Sequence, residues 1–386
     1  MNFKKQIFGF MDMLRFKKLV PNRREALASG ANTPLPKEYR TNILAHKLHP
    51  GYMTVELTEI RSLTDRMKEY TFKRLDSDAF PFFRAGEYVS LQSKVGDSLV
   101  SRPYSIASSP REALANKLVL GIENAGFFSN YLDTQAKVGD QFTMTEPSGE
   151  FHYENLRDKK NIACIAGGSG ITPFISMAKS MVEGDEDYNM TLFYGARDTQ
   201  HIAYKDELDQ LAAKGLKVVY VLSDEEVEGY EHGFISAAVM EKYVDIKDVT
   251  FFMCGPKAMY DFVLKELEPY SLPIKAIHKD ALYCGDRNVE NPKTFRLTVH
   301  MRDLVYNIDA KENETLLTSM ERAGLNAPNK CRAGGCGFCH SKLIKGDSII
   351  ADGRDGRREA DRKFGFIHPC VTYPVSDMEI DVPVAY

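Results

Sequence analysis

The rhythm of hydrophobic and polar positions changes three times along the 386 residues. From about residue 52 to 155, short alternating runs are separated by turn residues. Val89 and Leu91 share one face while Ser90 and Gln92 share the other, and Leu118, Leu120 and Ile122 repeat the arrangement. Period two with frequent turns predicts a small antiparallel β-barrel. From 160 to 270 the alternation gives way to near-continuous apolar runs at 162–166, 190–194, 217–222 and 249–254, the pattern of strands buried on both faces. Helical segments follow at 173–182, 205–214, 234–243 and 256–267, so this region reads as an open parallel α/β sheet. Residues 271–293, with Pro273, Gly285 and Pro292, read as a connector. Phe295, Leu297 and Val299 then alternate as a strand, and a short helix over 314–323 precedes a cysteine-rich loop in an α+β region.

The first 24 residues carry Lys4, Lys5, Arg15, Lys17, Lys18, Arg23 and Arg24 against Asp12. Phe3, Ile7, Phe10, Met11 and Leu14 recur at helical spacing, which predicts a basic amphipathic helix. Two readings stand side by side: an anchor on an anionic membrane surface or a partner, and a helix packed on the protein's own body or frayed at its end. Pro21 is expected to close the helix, and 29–36 to form a linker. The chain thus divides into an extension with linker (1–50), a barrel (51–157), an α/β body (158–285) and a cysteine-bearing body (286–386).

Composition narrows the class. A chain of this length suits two to four cores, and 43% apolar with 27% charged residues is globular and soluble in character. A net charge of -4 argues against nucleic-acid binding through a generally basic surface. No run approaches a membrane span, and the N-terminus lacks the apolar core and cleavage site of a signal peptide. Seven cysteines, an odd number with four in one set, suggest reduced thiols and a cytoplasmic location.

Those four are Cys331, Cys336, Cys339 and Cys370. C-x4-C-x2-C with a distant fourth cysteine is the spacing that holds a plant-type [2Fe-2S] cluster. Structural zinc, the competitor, usually arrives as two C-x2-C pairs. Gly334, Gly335 and Gly337 suit a loop that turns tightly and points N–H groups inward. In the barrel, Arg102-Pro103-Tyr104-Ser105 offers a cation for phosphate, an aromatic face and a hydroxyl, and Gly126-Phe127-Phe128-Ser129 offers close backbone approach; all suit a flavin. The same residues also suit an ordinary strand end and turn. At the end of the first parallel strand, Gly167, Gly168 and Gly170 let the backbone close on a pyrophosphate, Thr172 offers a donor, and Pro173 opens a helix whose N-terminus favours an anion. Asp224, after the third strand, suits ribose hydroxyls and repels a 2'-phosphate, which favours NADH, with NADPH as the alternative; the same acids also suit a solvated loop. Cys254-Gly255-Pro256 places a thiol at the sheet's carboxyl edge, where ligands gather, and an inert buried thiol is the other reading. Cys164 and Cys284 read as structural.

Together these motifs resemble the ferredoxin-NADP reductase superfamily over residues 52–386, in the domain order of the reductase components of bacterial oxygenases. The resemblance implies a multidomain protein: a flavin-binding barrel, a nucleotide-binding parallel sheet and a β-grasp-like ferredoxin domain. It further implies that Arg102, Tyr104 and Ser105 contact the flavin and Gly126 and Ser129 its phosphates. Gly167, Gly168, Gly170 and Thr172 hold the nucleotide pyrophosphate, and Cys254, Gly255 and Pro256 sit by the nicotinamide. FAD is the implied flavin, with FMN as the alternative. Two features depart from the family: residues 1–50 lie outside the likeness, and His368-Pro369 replaces the usual apolar approach to the fourth cysteine.

The chemistry has the same direction. Reduced nicotinamide releases two electrons as a hydride, a [2Fe-2S] cluster carries one, and a flavin converts between them. The function expected is therefore electron transfer from NAD(P)H to a separate terminal oxidoreductase, with Ser105 and Cys254 nearest the chemistry. The alternatives are a membrane-associated electron-transfer subunit of a larger respiratory-type complex and a redox-sensing module.

Overall fold

A computed structural model describes residues 3–30, 39–280 and 283–383, which fall into two compact units, 1–46 and 47–386. The first unit contains helix α1 (Phe3–Ala28) and most of α2 (Arg40–Leu48). Pro21 does not close α1, contrary to the sequence expectation; the helix runs through it to Ala28. Proline removes one backbone hydrogen bond, at a cost of about 3 kcal/mol, but the run Arg23 to Ala28 is made of good helix formers that continue the turn. The side chains of Phe3, Ile7, Phe10 and Met11, on which the amphipathic reading rests, lie outside the described residues, as does most of the expected linker, 31–36. No helix among the described residues is long and apolar enough to cross a membrane.

In the second unit, six antiparallel strands come first: β1 (Tyr52–Ser62), β2 (Met67–Arg74), β3 (Tyr88–Val95), β4 (Ser98–Ser105), β5 (Leu118–Glu123) and β6 (Gln141–Thr145). Their order is β4-β3-β6-β1-β2-β5, and the two edges meet where Ile106 bridges Leu120, so the sheet curls into a barrel. The alternating residues Val89, Leu91, Leu118, Leu120 and Ile122 fill its core. Helices α3 (Pro110–Leu114) and α4 (Phe127–Thr134) lie in the connections.

The near-continuous apolar runs form β7 (Asn161–Gly167), β8 (Asn189–Ala196), β9 (Lys217–Leu222) and β11 (Thr250–Cys254), with short edge strands β10 (Glu231–His232) and β12 (Ile277–Lys279). All pairings are parallel, in the order β10-β9-β8-β7-β11-β12. The chain reverses direction across the sheet between β7 and β11, where a ligand crevice opens beyond the strand ends. Helices α5 (Thr172–Val182), α6 (Lys205–Ala212) and α8 (Lys257–Leu267) agree with the periodicity. Two expectations need correction. The helix predicted at 234–243 shrinks to the single turn α7 (Ala237–Met240), which starts only where Ser236 caps the Val239 amide. The presumed connector contributes β12, whose three residues are too short for alternation to register.

The last body has a five-stranded sheet, β14-β13-β19-β15-β17, and a two-stranded one, β16-β18. Its strands are β13 (Thr294–Met301), β14 (Leu304–Lys311), β15 (Ser341–Lys345), β16 (Ser348–Ile350), β17 (Phe366–Ile367), β18 (Thr372–Pro374) and β19 (Met378–Asp381), with helices α9 (Leu316–Arg322) and α10 (Glu359–Lys363). The polar face of β3 is not left to solvent. Ser90 Oγ donates to the Lys330 carbonyl (3.3 Å) and Gln92 Nε2 to Asn326 Oδ1 (3.3 Å), so the cysteine-bearing body packs on the barrel.

Candidate functional site

The crevice at the reversal point is a cavity of about 940 Å³ lined by Gly167, Gly168, Gly170, Cys254, Gly255 and Pro256, among others. Backbone contact builds it. A Cβ on Gly170 would stand 2.1 Å from the Cys254 carbonyl oxygen, so the loop after β7 touches the end of β11 only because position 170 has no side chain. Gly168 takes a left-handed φ of +55° and opens the single 3-10 turn that leads into α5. These three glycines leave a cradle a side chain would fill, which fits a dinucleotide pyrophosphate. Thr172 is placed differently: it is buried, donates to the Ser169 carbonyl (2.9 Å) and does not line the cavity, so it braces the turn from behind. Asp224 is exposed beside the cavity and accepts from Ser223 Oγ (2.6 Å), and Ser223 does line it.

Ser105 and Cys254 come together from different bodies. Ser105 Oγ lies 3.4 Å and Cys254 Sγ 3.3 Å from the same atom, Asp280 Oδ2. Burial, reinforced by the Asp280 carboxylate, pushes the Cys254 thiol well up, so it is a protonated donor at neutral pH. The sequence reading missed Asp280 because it fell in the presumed connector. The available signal was an acid directly after Ile277-His278-Lys279, the short strand that β11 pairs with.

Tyr104 stands between Arg102 and Ser105 on β4, and burial raises its phenol. Arg102 is already engaged: its Nη1 donates to Glu321 Oε2 (2.8 Å) in α9. Gly126 caps α4, and Ser129 Oγ accepts the amides of Ala125 (3.0 Å) and Gly126 (2.9 Å). Ser129 therefore shapes the loop at the helix start, where Gly126 and Phe127 are exposed.

The four cysteines gather as two pairs. Cys339 Sγ is 3.4 Å from Cys370 Sγ, and Cys331 pairs with Cys336. Amides of Ala333 and Cys336 point at Cys331 Sγ (3.4 and 3.5 Å), and that of Phe338 at Cys336 Sγ (3.5 Å). The Cys336 thiol, with the Ala333 and Cys336 amides, holds the Cys331 thiol below its usual range. Two thiol pairs ringed by N–H donors fit two irons sharing sulfide, each iron with two thiolates. Among the described residues no three ligand side chains converge as a single ion would require. Gly334 (φ +82°) is obligatory here, since a Cβ would lie 2.3 Å from the Arg354 carbonyl oxygen. The departure at His368 has a local reason: the buried ring bonds the Gly334 carbonyl through Nδ1 (2.9 Å), tying the loop to the fourth cysteine's segment. Cys336 is exposed at the rim.

Three families match in succession: an oxidoreductase FAD-binding domain over residues 54–153, an oxidoreductase NAD-binding domain over 164–265 and a 2Fe-2S iron-sulfur cluster binding domain over 301–375. The carnitine monooxygenase reductase subunit of Escherichia coli (strain K12) is 27% identical over 305 residues, 78% of this chain and 88% of that protein. The ferredoxin reductase component of 3-ketosteroid-9-alpha-monooxygenase from Mycobacterium tuberculosis (strain H37Rv) is 27% identical over 350 residues, 84% of this chain and 94% of that one. The solved structure of phthalate dioxygenase reductase superposes with a TM-score of 0.65 at 22% identity, covering 87% of this chain and 98% of that one. With barrel, parallel sheet and paired thiols in that order, the chain belongs to the ferredoxin-NADP reductase superfamily, among the oxygenase-reductase-like members that end in a 2Fe-2S domain.

Proposed function

We propose that this protein takes electrons from NADH and passes them singly to a separate terminal oxygenase. One observation carries the reading: strand β4 touches both ends of the route. Ser105, its last residue, meets Cys254 and Asp280 at the nucleotide crevice, while Ser101 and Arg102 meet Glu321 of the cluster-bearing body. When bound, the nicotinamide supplies hydride, the flavin divides its electron pair and the [2Fe-2S] cluster carries single electrons outward.

The chain's own residues position these groups. Gly167, Gly168 and Gly170 receive the pyrophosphate, Asp224 the adenosine ribose, and Gly255 and Pro256 border the nicotinamide beside Cys254. Tyr104 and Ser105 serve the flavin ring and the α4 N-terminus its phosphates; Cys331, Cys336, Cys339 and Cys370 hold the cluster. Alignment at contact distance is the catalytic task, and it falls to the two bodies that Asp280 joins. FAD is the flavin favoured by the family match, FMN the alternative. The last body is read as β-grasp-like.

Relatives named as reductase subunits of monooxygenases make an oxygenase the favoured acceptor. The exposed rim at Cys336 is its docking point. Of the nearby arginines, Arg357 and Arg362 are already paired with Asp355, so the 354–362 loop presents little net positive charge to an acidic partner. The location we infer is cytoplasmic. Residues 1–24 are the second docking element, to a membrane surface or partner, and sedimentation with anionic liposomes after their deletion tests this: unchanged sedimentation ends the membrane role.

The central test is an anaerobic titration with NADH. The flavin absorbance should bleach and the reduced-cluster paramagnetic signal should follow. A reconstituted Cys336→Ala protein that keeps that signal unaltered would refute the assignment.

A further inference from the structure

Arg332 directly follows the first cluster cysteine and is the largest side chain that the described residues bury almost completely, at 1% exposure. Its φ of +51° is a left-handed conformation that a non-glycine residue keeps only when its surroundings hold it there. Nη1 donates to Glu321 Oε1 (2.7 Å), Nη2 reaches Thr318 Oγ1 (3.4 Å), and Nε has no partner among the described residues. Glu321 is itself buried. Its Oε1 also accepts the Ser101 amide (2.9 Å), and its Oε2 accepts Arg102 Nη1 (2.8 Å). The Tyr283 ring lies 5.6 Å from both guanidinium groups. One carboxylate therefore joins the cluster loop to the flavin strand.

Two guanidinium groups share the Glu321 carboxylate between β4 and the cluster loop, and Asp286 is a second acid whose charge acts on both. Stability alone does not explain so buried an ionic cluster, because burying charge is costly and apolar packing does the same work. Arg332 directly follows Cys331, and the carboxylate it bonds also holds Ser101 and Arg102 of the strand that carries Tyr104, so one ionic cluster faces both sides.

We propose that Glu321 is a positioning residue for electron transfer: it holds β4 against the cluster loop and, with Arg332, sets the cluster's reduction potential relative to the flavin. The role rests on the reading given under Proposed function. Reduction of a [2Fe-2S] cluster adds one electron, taken from the reduced flavin, to one iron, ferric to ferrous, with no bond made or broken. Negative charge accumulates, so a nearby cation favours the reduced form and a nearby anion opposes it.

Anaerobic potentiometric titration of the holoprotein, followed by the paramagnetic signal, tests the pair. Glu321→Gln raises the cluster potential and Arg332→Gln lowers it, while Glu321→Asp and Arg332→Lys stay near the parent even where their melting temperatures fall. Shifts of the same sign in the two glutamine variants, or charge-preserving variants that shift as far as neutral ones, would overturn the electrostatic role. Glu321→Asp also covers the case of a glutamine variant that loses its cluster. Its shorter side chain keeps the charge but not the reach, so stopped-flow transfer from flavin to cluster slows at least tenfold at unchanged potential; a parent-like rate overturns the positioning role. A parent protein without a reduced-cluster signal would instead refute the site assignment itself.

Discussion

Ser105 and Cys254 lie 149 positions apart in the chain, in separate bodies, yet both hydrogen-bond Asp280 Oδ2, at 3.4 and 3.3 Å. The carboxylate thus joins the barrel to the parallel sheet.

Replacing Asp280 with Ala removes its hydrogen bonds from Ser105 and Cys254, each to a charged acceptor and worth about 1.5–3 kcal/mol. If alignment loses the equivalent of one such bond, flavin bleaching by NADH slows by about 10- to 100-fold, since 1.4 kcal/mol is a factor of ten. Stopped-flow absorbance measures this directly, and a rate within twofold of the parent would remove Asp280 from the alignment.

The raised Cys254 thiol has a kinetic signature. Thiolate is the species that iodoacetamide alkylates, so a thiol held protonated reacts slowly. Peptide mapping after iodoacetamide at pH 8 should find Cys254 labelled more slowly than a free model thiol, with a rate that still rises about tenfold per pH unit up to pH 9, where a free thiol approaches its plateau. Rapid labelling of this residue in the folded protein would contradict the arrangement.

Gly170→Ala places a methyl where the Cys254 carbonyl stands. Overpacking against backbone costs about 1–3 kcal/mol and separates β7 from β11 at the crevice. A lower melting temperature and weaker NADH binding by equilibrium dialysis are expected together; parent-like affinity would show that the crevice tolerates the displacement.

Asp224→Ala should narrow the preference for NADH over NADPH by about tenfold, the effect of one repulsive contact with a 2'-phosphate. The ratio of kcat/KM values for the two donors reports it. An unchanged ratio assigns the preference elsewhere.

Burial lifts the Glu87 carboxyl from the usual range to about 7. The folded state therefore holds a proton that the unfolded chain releases above about pH 4.5. Stability present at low pH declines as pH rises from about 4.5 to 7 and then levels, an effect on the order of 3 kcal/mol. Melting temperatures at pH 5.5 and 8 should differ in that sense, and less so in Glu87→Gln. Equal pH dependence in both proteins would rule out Glu87 as the source.

Local chemistry was enough to identify much of this protein. The cysteine spacing, the glycines at 167–170 and the switch from period two to buried apolar runs are properties of neighbouring residues, so strand type, the cysteine loop and the tight glycine turn after β7 were legible before any packing was known. Relationships across long sequence separations were not. Asp280 carries no motif, and its meaning comes from β12 pairing beside β11. Thr172 has the composition of a ligand residue, but its hydroxyl is turned to Ser169 by the start of α5. Pro21 has the local signature of a helix end, but the residues after it outweigh the single lost hydrogen bond. Arg102 read as a flavin cation from its tetrapeptide alone; that it shares Glu321 with Arg332 depends on the cysteine-bearing body docking on the polar face of β3. Tertiary packing decides such pairs because hydrogen bonds and charges act over a few ångströms in space, whatever their distance along the chain.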